Sequence, residues 1–308
     1  MSDDDGARVV RRLLDAADGR VEAARRVLGG VDERARMTRR RLLGAGAVAA
    51  GAFALGGSAS AATPPEVRAR ATTKPRPSAP PRRSPGPAKP RTPAMPVLKK
   101  PVNTIADYHR SVGGPAFPSD VIALTIDDGP HPVWTPKILG LLAKHHVPAT
   151  FCMIGNQVLG HETVAKDVVR DGHHLANHTW SHPTHLGTKS GRVMRRELSR
   201  AQEKIHDVTG LDTTLFRSPG GDWSPALLGA SAKQGLIALD WSDDPRDWAK
   251  PGVAHIRRRL MAAKPGQILL CHDGGGDRSQ TYTALSTVIP ALKARGLRFV
   301  ALDRKPAL

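Results

Sequence analysis

Residues 121–130 read Val-Ile-Ala-Leu-Thr-Ile-Asp-Asp-Gly-Pro, a short apolar run that ends in two aspartates and a Gly-Pro pair. A short apolar run bounded by turn residues is typical of a buried strand, so we predict a strand over 121–126. Asp127 and Asp128 then stand at the end of that strand. Because Asp-Gly is also an ordinary turn signal, other segments must show whether these carboxylates form a turn or a site.

Six further segments share this pattern and are predicted as strands: 149–154, 174–177, 214–216, 236–239, 267–271 and 298–300. Amphipathic segments lie between them, such as 191–209, where apolar residues recur at helical spacing. A Thr-Pro pair at 135–136 and a Ser-Pro pair at 224–225 predict two helix starts. Seven strands alternating with helices predict a parallel sheet, either open and doubly wound or closed as a (β/α) barrel.

Polar and titratable residues stand at the ends of five of these predicted strands. They are Asp127 and Asp128, His178, Arg217, Asp240, and the pair His272-Asp273. The carboxyl ends of parallel strands meet on one face of such a fold, and active sites are built there. Core packing does not explain ionisable groups at five strand ends, so we predict a functional site on this face.

His178 and His182 are four residues apart, so one helical turn would direct both imidazoles the same way. Together with one carboxylate they would form a set that suits zinc or another divalent ion and leaves positions open for water and substrate. A lone His-x-x-x-His is more often surface or core histidine. The expected position of this pair beside Asp127 and Asp128 favours a metal site over the two ordinary interpretations, which are surface or core histidines and a plain Asp-Gly turn.

Five ordered segments resemble the motifs of the polysaccharide deacetylase family, the NodB-homology domain of carbohydrate esterase family 4. They are Thr-Ile-Asp-Asp-Gly-Pro at 125–130, His-Thr-Trp-Ser-His at 178–182, Arg-Ser-Pro-Gly-Gly at 217–221, Asp-Pro-Arg-Asp-Trp at 244–248 and Ile-Leu-Leu-Cys-His at 268–272. The resemblance covers about 120–302. It implies an α/β fold, a distorted (β/α) barrel of about seven parallel strands, and metal-dependent removal of N-acetyl groups from N-acetylglucosamine polymers, either peptidoglycan or chitin-like oligosaccharide.

The resemblance also implies roles for particular residues. Asp128, His178 and His182 would hold a divalent metal, with zinc as the first choice and cobalt or manganese as alternatives. Asp127 would be the general base that deprotonates a water molecule. Arg217 would hold Asp127 in place and keep it ionised, although an ordinary ion pair is the alternative for this arginine.

His272 would protonate the leaving amine, with Asp247 orienting its imidazole. Trp248 and Leu270 would form an apolar wall against the acetyl methyl group, with plain core packing as the alternative for Trp248. Three other aspartates close in sequence could take the orienting role instead of Asp247. They are Asp240, Asp243 and Asp244.

Two positions depart from the family pattern. The first motif usually has Phe where this chain has Ile126, which is a conservative change. The third usually has Pro-Tyr-Gly, whereas Pro219 is followed here by Gly220. The N–H of Gly220 can still donate to an oxyanion, but one aromatic wall of the sugar groove is missing. Pro219 and Gly220 are therefore expected to bind substrate, with an altered preference.

The chain is strongly basic, with a net charge of +18 over 308 residues, and most of that charge precedes residue 105. Residues 1–104 carry +12, whereas all 13 histidines follow them. A specific nucleic-acid partner is not expected, because the basic charge lies mostly outside the predicted domain and few aromatic residues accompany it. Two cysteines, Cys152 and Cys271, exclude a disulfide framework but leave a single disulfide open.

The front of the chain divides into three predicted segments. Residues 1–36 form a charged extension, and Met37 leaves a mis-assigned start as an alternative. Residues 37–62 have the Arg pair, short apolar run and small residues of a twin-arginine-like export signal, with an uncleaved membrane anchor as the alternative. Residues 63–104 are a linker rich in Pro and basic residues, suited to anionic cell-wall polymers or simply solvated. We expect an exported monomer, extracellular or cell-wall associated, whose catalytic domain spans 105–308. The alternative is a non-catalytic carbohydrate-binding protein of the same fold, which the presence of both Asp127 and His272 disfavours.

Overall fold

The computed structural model describes residues 94–302. The predicted extension, the export signal and most of the linker lie outside the described residues and stay predictions. Within 94–302, no helix combines the length and apolar composition needed to cross a membrane.

All seven predicted strands are present in the described part of the chain, and two have the predicted bounds. They are β1 (Val121–Asp127), β2 (Thr150–Met153), β3 (His174–Asn177), β4 (Leu215–Phe216), β5 (Ile237–Ala238), β6 (Ile268–His272) and β7 (Arg298–Val300). They form one parallel sheet in the order β5-β4-β3-β2-β1-β6, and β7 pairs with the first half of β1. The sheet curls into the distorted (β/α) barrel expected from the sequence.

Eight α-helices lie in the same range: α1 (Ile105–Val112), α2 (Trp134–His145), α3 (Gly155–Val158), α4 (Glu162–Arg170), α5 (Gly191–Thr209), α6 (Pro225–Ala232), α7 (Val253–Met261) and α8 (Ser279–Ala294). Ser224 caps α6 by accepting from Leu227 N, as the Ser-Pro pair predicted. The other predicted helix start is wrong. Helix α2 begins at Trp134, and the Thr135 hydroxyl instead donates to the carboxylate of Asp273.

The two faces of the sheet bury different layers. In β1, Val121 and Ala123 belong to the cluster inside the curled sheet, whereas Ile122, Leu124 and Ile126 belong to the cluster under the surrounding helices. This alternation follows from the period of two along a strand. Because both faces are apolar along most of β1, the strand reads as one continuous apolar run.

The gap between β5 and β6 is closed by a segment that the sequence assigned to the linker. Val102 N donates to Ala238 O at 2.8 Å, and Val102 O accepts from Asp240 N. Thr104 forms an antiparallel bridge to Gln267. The predicted boundary at residue 105 is therefore wrong, because the last residues of the linker supply main-chain hydrogen bonds that complete the barrel wall.

Cys152 and Cys271 are both buried free thiols. They lie on β2 and β6, which flank β1 on opposite sides. Cys152 faces the interior cluster and Cys271 faces the helices, so the sheet itself separates them and no disulfide joins them. Burial raises the pKa of both thiols well above the ordinary value, which makes them unreactive at neutral pH.

The barrel closure can be tested with two valines of the same segment. Val102 is 3% exposed and Val97 is 59% exposed. We expect Val102→Ala to lower the free energy of unfolding by about 1–3 kcal/mol, because it leaves a cavity in the barrel wall. Val97→Ala is the matched control and should change it by less than about 0.5 kcal/mol. Urea unfolding measures both, and equal losses would show that residues 97–102 are an ordinary tail.

Candidate functional site

The site lies where the carboxyl ends of the strands meet. Strand β1 ends at Asp127 and β6 ends at His272, and these two residues are direct partners in the parallel register. Their side chains have the same parity as the interior residues of each strand. The loop after β3 supplies His178 and His182, and the residue after β4 is Arg217. The structure thus brings together the residues that the sequence placed at separate strand ends.

Asp128, His178 and His182 form a cluster whose ligand atoms all lie within 4.8 Å of one another. Asp128 Oδ1 is 3.4 Å from His178 Nε2 and 3.2 Å from His182 Nε2. This oxygen is buried and has no ordinary hydrogen-bond donor. Two imidazole nitrogens and one carboxylate oxygen that converge in this way fit a divalent metal and leave further coordination positions open.

The segment that carries both histidines is a loop, so the predicted helical turn is wrong. Thr179 and His182 have φ of 69° and 53°, which lie in the left-handed region. The loop is held by short side-chain bonds instead: Asn177 Oδ1 accepts from Thr179 N at 2.9 Å, and Thr179 Oγ1 accepts from His182 N at 3.0 Å. The imidazoles still meet, with ring centroids 5.0 Å apart.

The tautomer of His178 is fixed by its other ring nitrogen. His178 Nδ1 lies 2.8 Å from Arg217 O, and a carbonyl oxygen can only accept, so Nδ1 carries the proton. In the neutral ring this leaves a lone pair on Nε2, which faces Asp128. Such a second hydrogen bond is what orients histidine ligands in metal sites.

Asp127 has a different environment from its neighbour. Its Oδ1 accepts from Arg217 Nη1 at 2.7 Å, and the same Nη1 donates to Thr125 Oγ1 at 2.8 Å. Burial raises the pKa of Asp127, but the charges on Arg217 and His178 outweigh burial and hold this pKa below its usual range. Asp127 is therefore an ionised carboxylate beside the cluster, as a general base requires.

His272 is bound to Asp247. Its Nδ1 lies 2.7 Å from Asp247 Oδ1, while Asp247 Oδ2 accepts from His272 N at 2.9 Å and from Thr281 Oγ1 at 2.8 Å. Burial lowers the pKa of His272, but the hydrogen bond to Asp247 and its charge outweigh burial and raise the pKa to about 9. His272 thus carries a proton at neutral pH, as a general acid requires.

Two of the three competing aspartates are bonded elsewhere, and the third lies beside Arg217. Asp243 pairs with Arg259, and Asp244 Oδ1 accepts from Arg246 N at 2.6 Å. The carbonyl of Asp240 accepts from the guanidinium of Arg217, and burial raises the pKa of its carboxyl to about 6. The geometry therefore pairs His272 with Asp247 rather than with the other three.

The four residues expected to contact substrate each lie within three residues of Arg217, Asp247 or His272 along the chain. Gly220 has φ of 65° and lies next to the buried Pro219, and no atom lies within 4 Å of the point where a Cβ would stand. Leu270 is buried on β6, two residues before His272. Trp248 is 46% exposed, so it is not core filling. The opening at Gly220 is where the family's aromatic side chain would project.

Sequence reasoning assigned no role to two buried polar residues beside the site. Asp273 N donates to Asp127 O at 3.0 Å, and burial raises the pKa of the Asp273 carboxyl to about 7. Arg278 is buried in the glycine-rich segment that follows β6. Asp273 was noted only as the second polar residue at the end of its predicted strand, whereas Arg278 had no sequence signal except its place after β6.

The fold and the site together define a class: a (β/α)-barrel hydrolase with a metal-type cluster beside an ionised carboxylate and a carboxylate-paired imidazole. Comparison with known proteins agrees. The family described as polysaccharide deacetylase matches residues 114–239. A peptidoglycan-N-acetylglucosamine deacetylase of Bacillus cereus is 39% identical over 59% of this chain and 86% of its own length. A chitooligosaccharide deacetylase of Sinorhizobium fredii is 40% identical over 62% and 94%.

The chain is also similar to solved structures. The crystal structure of a peptidoglycan N-acetylglucosamine deacetylase has a TM-score of 0.59 at 31% identity, over 61% of this chain and 88% of that one. A carbohydrate esterase family 4 pseudoenzyme of Bacillus anthracis has a TM-score of 0.56 at 28% identity, over 61% and 67%. The chain belongs to the polysaccharide deacetylase family, whose members are hydrolases of N-acetyl amide bonds. The matched range ends before Asp247 and His272, which the hydrogen bonds between them join within the site.

The dependence of His272 on Asp247 is testable in the metal-free protein. We expect Asp247→Asn to lower the pKa of His272 from about 9 toward its ordinary value of about 6.5, because the acceptor charge is lost while burial remains. Since the acid form exists below the pKa, the variant would lose this proton between about pH 7 and 9. NMR titration of the imidazole measures the change. Asp243→Asn is the control and should leave the pKa near 9; an unshifted pKa in Asp247→Asn would contradict the pairing.

Proposed function

We propose that this chain is a metal-dependent deacetylase that removes N-acetyl groups from N-acetylglucosamine units of a cell-wall-type polysaccharide. The observation that carries the proposal is the arrangement of opposite protonation states around one cluster. Asp127 is held ionised by Arg217, and His272 is held protonated by Asp247. The names of the relatives support either peptidoglycan or chitin-like oligosaccharide as substrate.

Asp128, His178 and His182 would hold the metal ion. A mixed nitrogen and oxygen ligand set suits zinc, with cobalt and manganese as the alternatives. When bound, the ion would polarise the acetyl carbonyl and lower the pKa of a water molecule. The hydrogen bond from His178 Nδ1 to Arg217 O supports this assignment, because in the neutral ring it leaves the Nε2 lone pair facing Asp128.

Asp127 would take the proton from the attacking water. Its Oδ1 is engaged by Arg217, so Oδ2, which lies 3.8 Å from His178 Nε2, would be the oxygen that accepts the proton. The N–H of Gly220 would donate to the oxygen of the acetyl carbonyl as negative charge develops there. Because Gly220 stands in an open part of the site, the substrate can approach its main chain closely.

His272 would deliver the proton that the leaving amine needs. Its Nδ1–H donates to Asp247, so Nε2 carries the proton that is transferred. The C–N bond then breaks, giving acetate and a free amine on the sugar. Trp248 and Leu270 would bound the acetyl methyl group, and Pro219 would border the same pocket. This apolar boundary favours acetyl over longer acyl groups.

A non-catalytic carbohydrate-binding protein of the same fold is the second candidate. The likeness to a pseudoenzyme shows that overall fold alone does not select between the two. The complete Asp127–Arg217 and His272–Asp247 pairs favour the enzyme, because a binding protein has no need of a buried base and a buried acid at opposite protonation states.

We further propose that the chain is exported and acts at the cell wall as a monomer. The Arg pair at 39–40 followed by a weakly apolar run supports the export route, and retention as an uncleaved anchor is the alternative. The basic Pro-rich linker would hold the enzyme near anionic wall polymers, because its charge is attracted to theirs.

The different roles proposed for Asp127 and Asp128 are tested by measuring metal content and activity together. Asp128→Ala and His178→Ala each remove one of three ligands, so bound metal and activity should both be lost. Asp127→Asn should keep its metal but lower the rate about 10²- to 10⁴-fold, because an amide cannot accept the water proton. Activity is measured on chitooligosaccharides and on peptidoglycan fragments.

The matched control is Asp212→Asn, a surface aspartate that pairs with His206 away from the site. It should keep both metal and turnover. A metal-free Asp127→Asn protein, or one with near-normal turnover, would show that the roles of Asp127 and Asp128 are assigned wrongly. Binding of either oligosaccharide without any turnover by the metal-loaded wild type would support the non-catalytic candidate.

Export through the twin-arginine route has its own test. We expect the double variant Arg39→Lys with Arg40→Lys to accumulate inside the cell, because that route reads the arginine pair itself rather than its charge. Arg68→Lys with Arg70→Lys, in the linker, is the control and should be exported normally. Cell fractionation with immunodetection measures both, and undiminished export of the first variant would remove the twin-arginine interpretation.

A further inference from the structure

Arg278 is a buried cation whose hydrogen bonds, within residues 94–302, run to main-chain carbonyls and not to carboxylates. Arg278 is 4% exposed and lies directly before α8. Its Nε donates to Gly274 O at 2.6 Å and its Nη1 donates to Trp248 O at 3.3 Å. A buried guanidinium is costly unless its donors are satisfied, so this placement needs a physical reason.

The loop that Arg278 holds lies directly on a predicted metal ligand. A methyl group on Gly274 would stand 2.0 Å from Asp128 O. One on Gly275, which has φ of 72°, would stand 2.9 Å from Asp128 Oδ2 and 3.0 Å from Arg278 Nη2. The two glycines therefore let the loop backbone approach Asp128, and the guanidinium lies on the side of Gly275 that faces the carboxylate.

The other carbonyl that Arg278 binds belongs to the turn Asp247–Ala249. Asp247 and Trp248 are adjacent in this turn but are fixed by different contacts. The carboxylate of Asp247 accepts from His272 N and from Thr281 Oγ1, and it also binds the His272 ring, so it is fixed without Arg278. Trp248 is half exposed, and Arg278 is the side chain that fixes its main chain to the loop after β6.

We propose that Arg278 is a positioning residue for the acetyl site: it fixes the Trp248 wall against the loop that follows the general acid His272. This inference rests on the proposed function in one respect, namely that Trp248 contacts the acetyl group. Because Asp247 has its own anchors, loss of Arg278 should loosen the wall and leave the acid in place. The expected consequence is weaker substrate binding with little change in the chemical step.

A double-mutant cycle tests the kinetic consequence. Arg278→Ala should raise KM for N-acetyl chitooligosaccharide about tenfold while kcat changes less than about twofold, since the wall acts equally on ground and transition states. In the Trp248→Ala background the same substitution should change KM less than about twofold, because its target is already gone. Additive effects on KM, or a loss confined to kcat, would overturn the proposal.

Hydrogen exchange supplies a readout that needs no activity. Arg278→Lys keeps the charge but cannot reach both carbonyls, so exchange should rise in the peptides that contain residues 247–250 and 274–277. The control is Arg295→Lys, because Arg295 also donates to two carbonyls, Met261 O and Ala263 O, away from the site. It should leave those peptides unchanged.

The kinetic cycle and the exchange measurement test the proposed function and the role of Arg278 separately. If the wild type shows no deacetylation, the proposed function fails, and the exchange comparison still decides whether Arg278 holds the Trp248 turn. Unchanged exchange in residues 247–250 of Arg278→Lys would overturn the positioning role, whatever the enzyme does. Arg278→Lys also serves in the kinetic cycle if Arg278→Ala does not fold.

Discussion

The buried guanidinium of Arg217 is the interaction on which the site depends. The residue is fully buried, and its charge requires a carboxylate at close range, which Asp127 supplies at 2.7 Å. The same residue uses its carbonyl to fix the tautomer of His178. One arginine therefore keeps Asp127 ionised and His178 oriented, and it ties the end of β1 to the loop after β3. Removing it would leave a buried carboxylate without a partner, a change that costs more than the pair itself contributes.

Two adjacent aspartates acquire different chemistry from the backbone between them. Asp127 is the last residue of β1, and its side chain keeps the inward parity of the strand. Asp128 follows with φ of 75°, which turns its carboxylate toward the two histidines and away from Arg217. The loop after β6 approaches this turn so closely that Gly274 has no room for a side chain. The backbone conformation of one residue thus gives two adjacent carboxylates different partners.

The environments of Asp127 and His272 differ in the same way. Both are buried at the ends of neighbouring strands, yet Asp127 lies beside a cation and His272 lies beside an anion. Their pKa values are displaced in opposite directions, below the usual range for Asp127 and to about 9 for His272. At neutral pH one group is ready to accept a proton while the other is ready to donate one, which a general acid–base pair requires. The barrel wall that carries them is completed by Val102 and Thr104, so the segment before the domain supports the site indirectly.

The sequence by itself determined the seven strands, their alternation with helices and the residues at their ends, because apolar periodicity and turn residues are local properties. It also determined the family and the residue types of the site. Local sequence signals failed where contacts between residues distant in sequence determine the conformation. Thr135 looked like a helix cap and instead binds Asp273, and the histidine pair looked helical but lies in a loop shaped by Asn177. Only the tertiary structure selected Asp247 among four aspartates, extended the barrel back to Val102 and placed Arg278 beside Trp248, since each of these depends on which strands and loops become neighbours once the sheet curls.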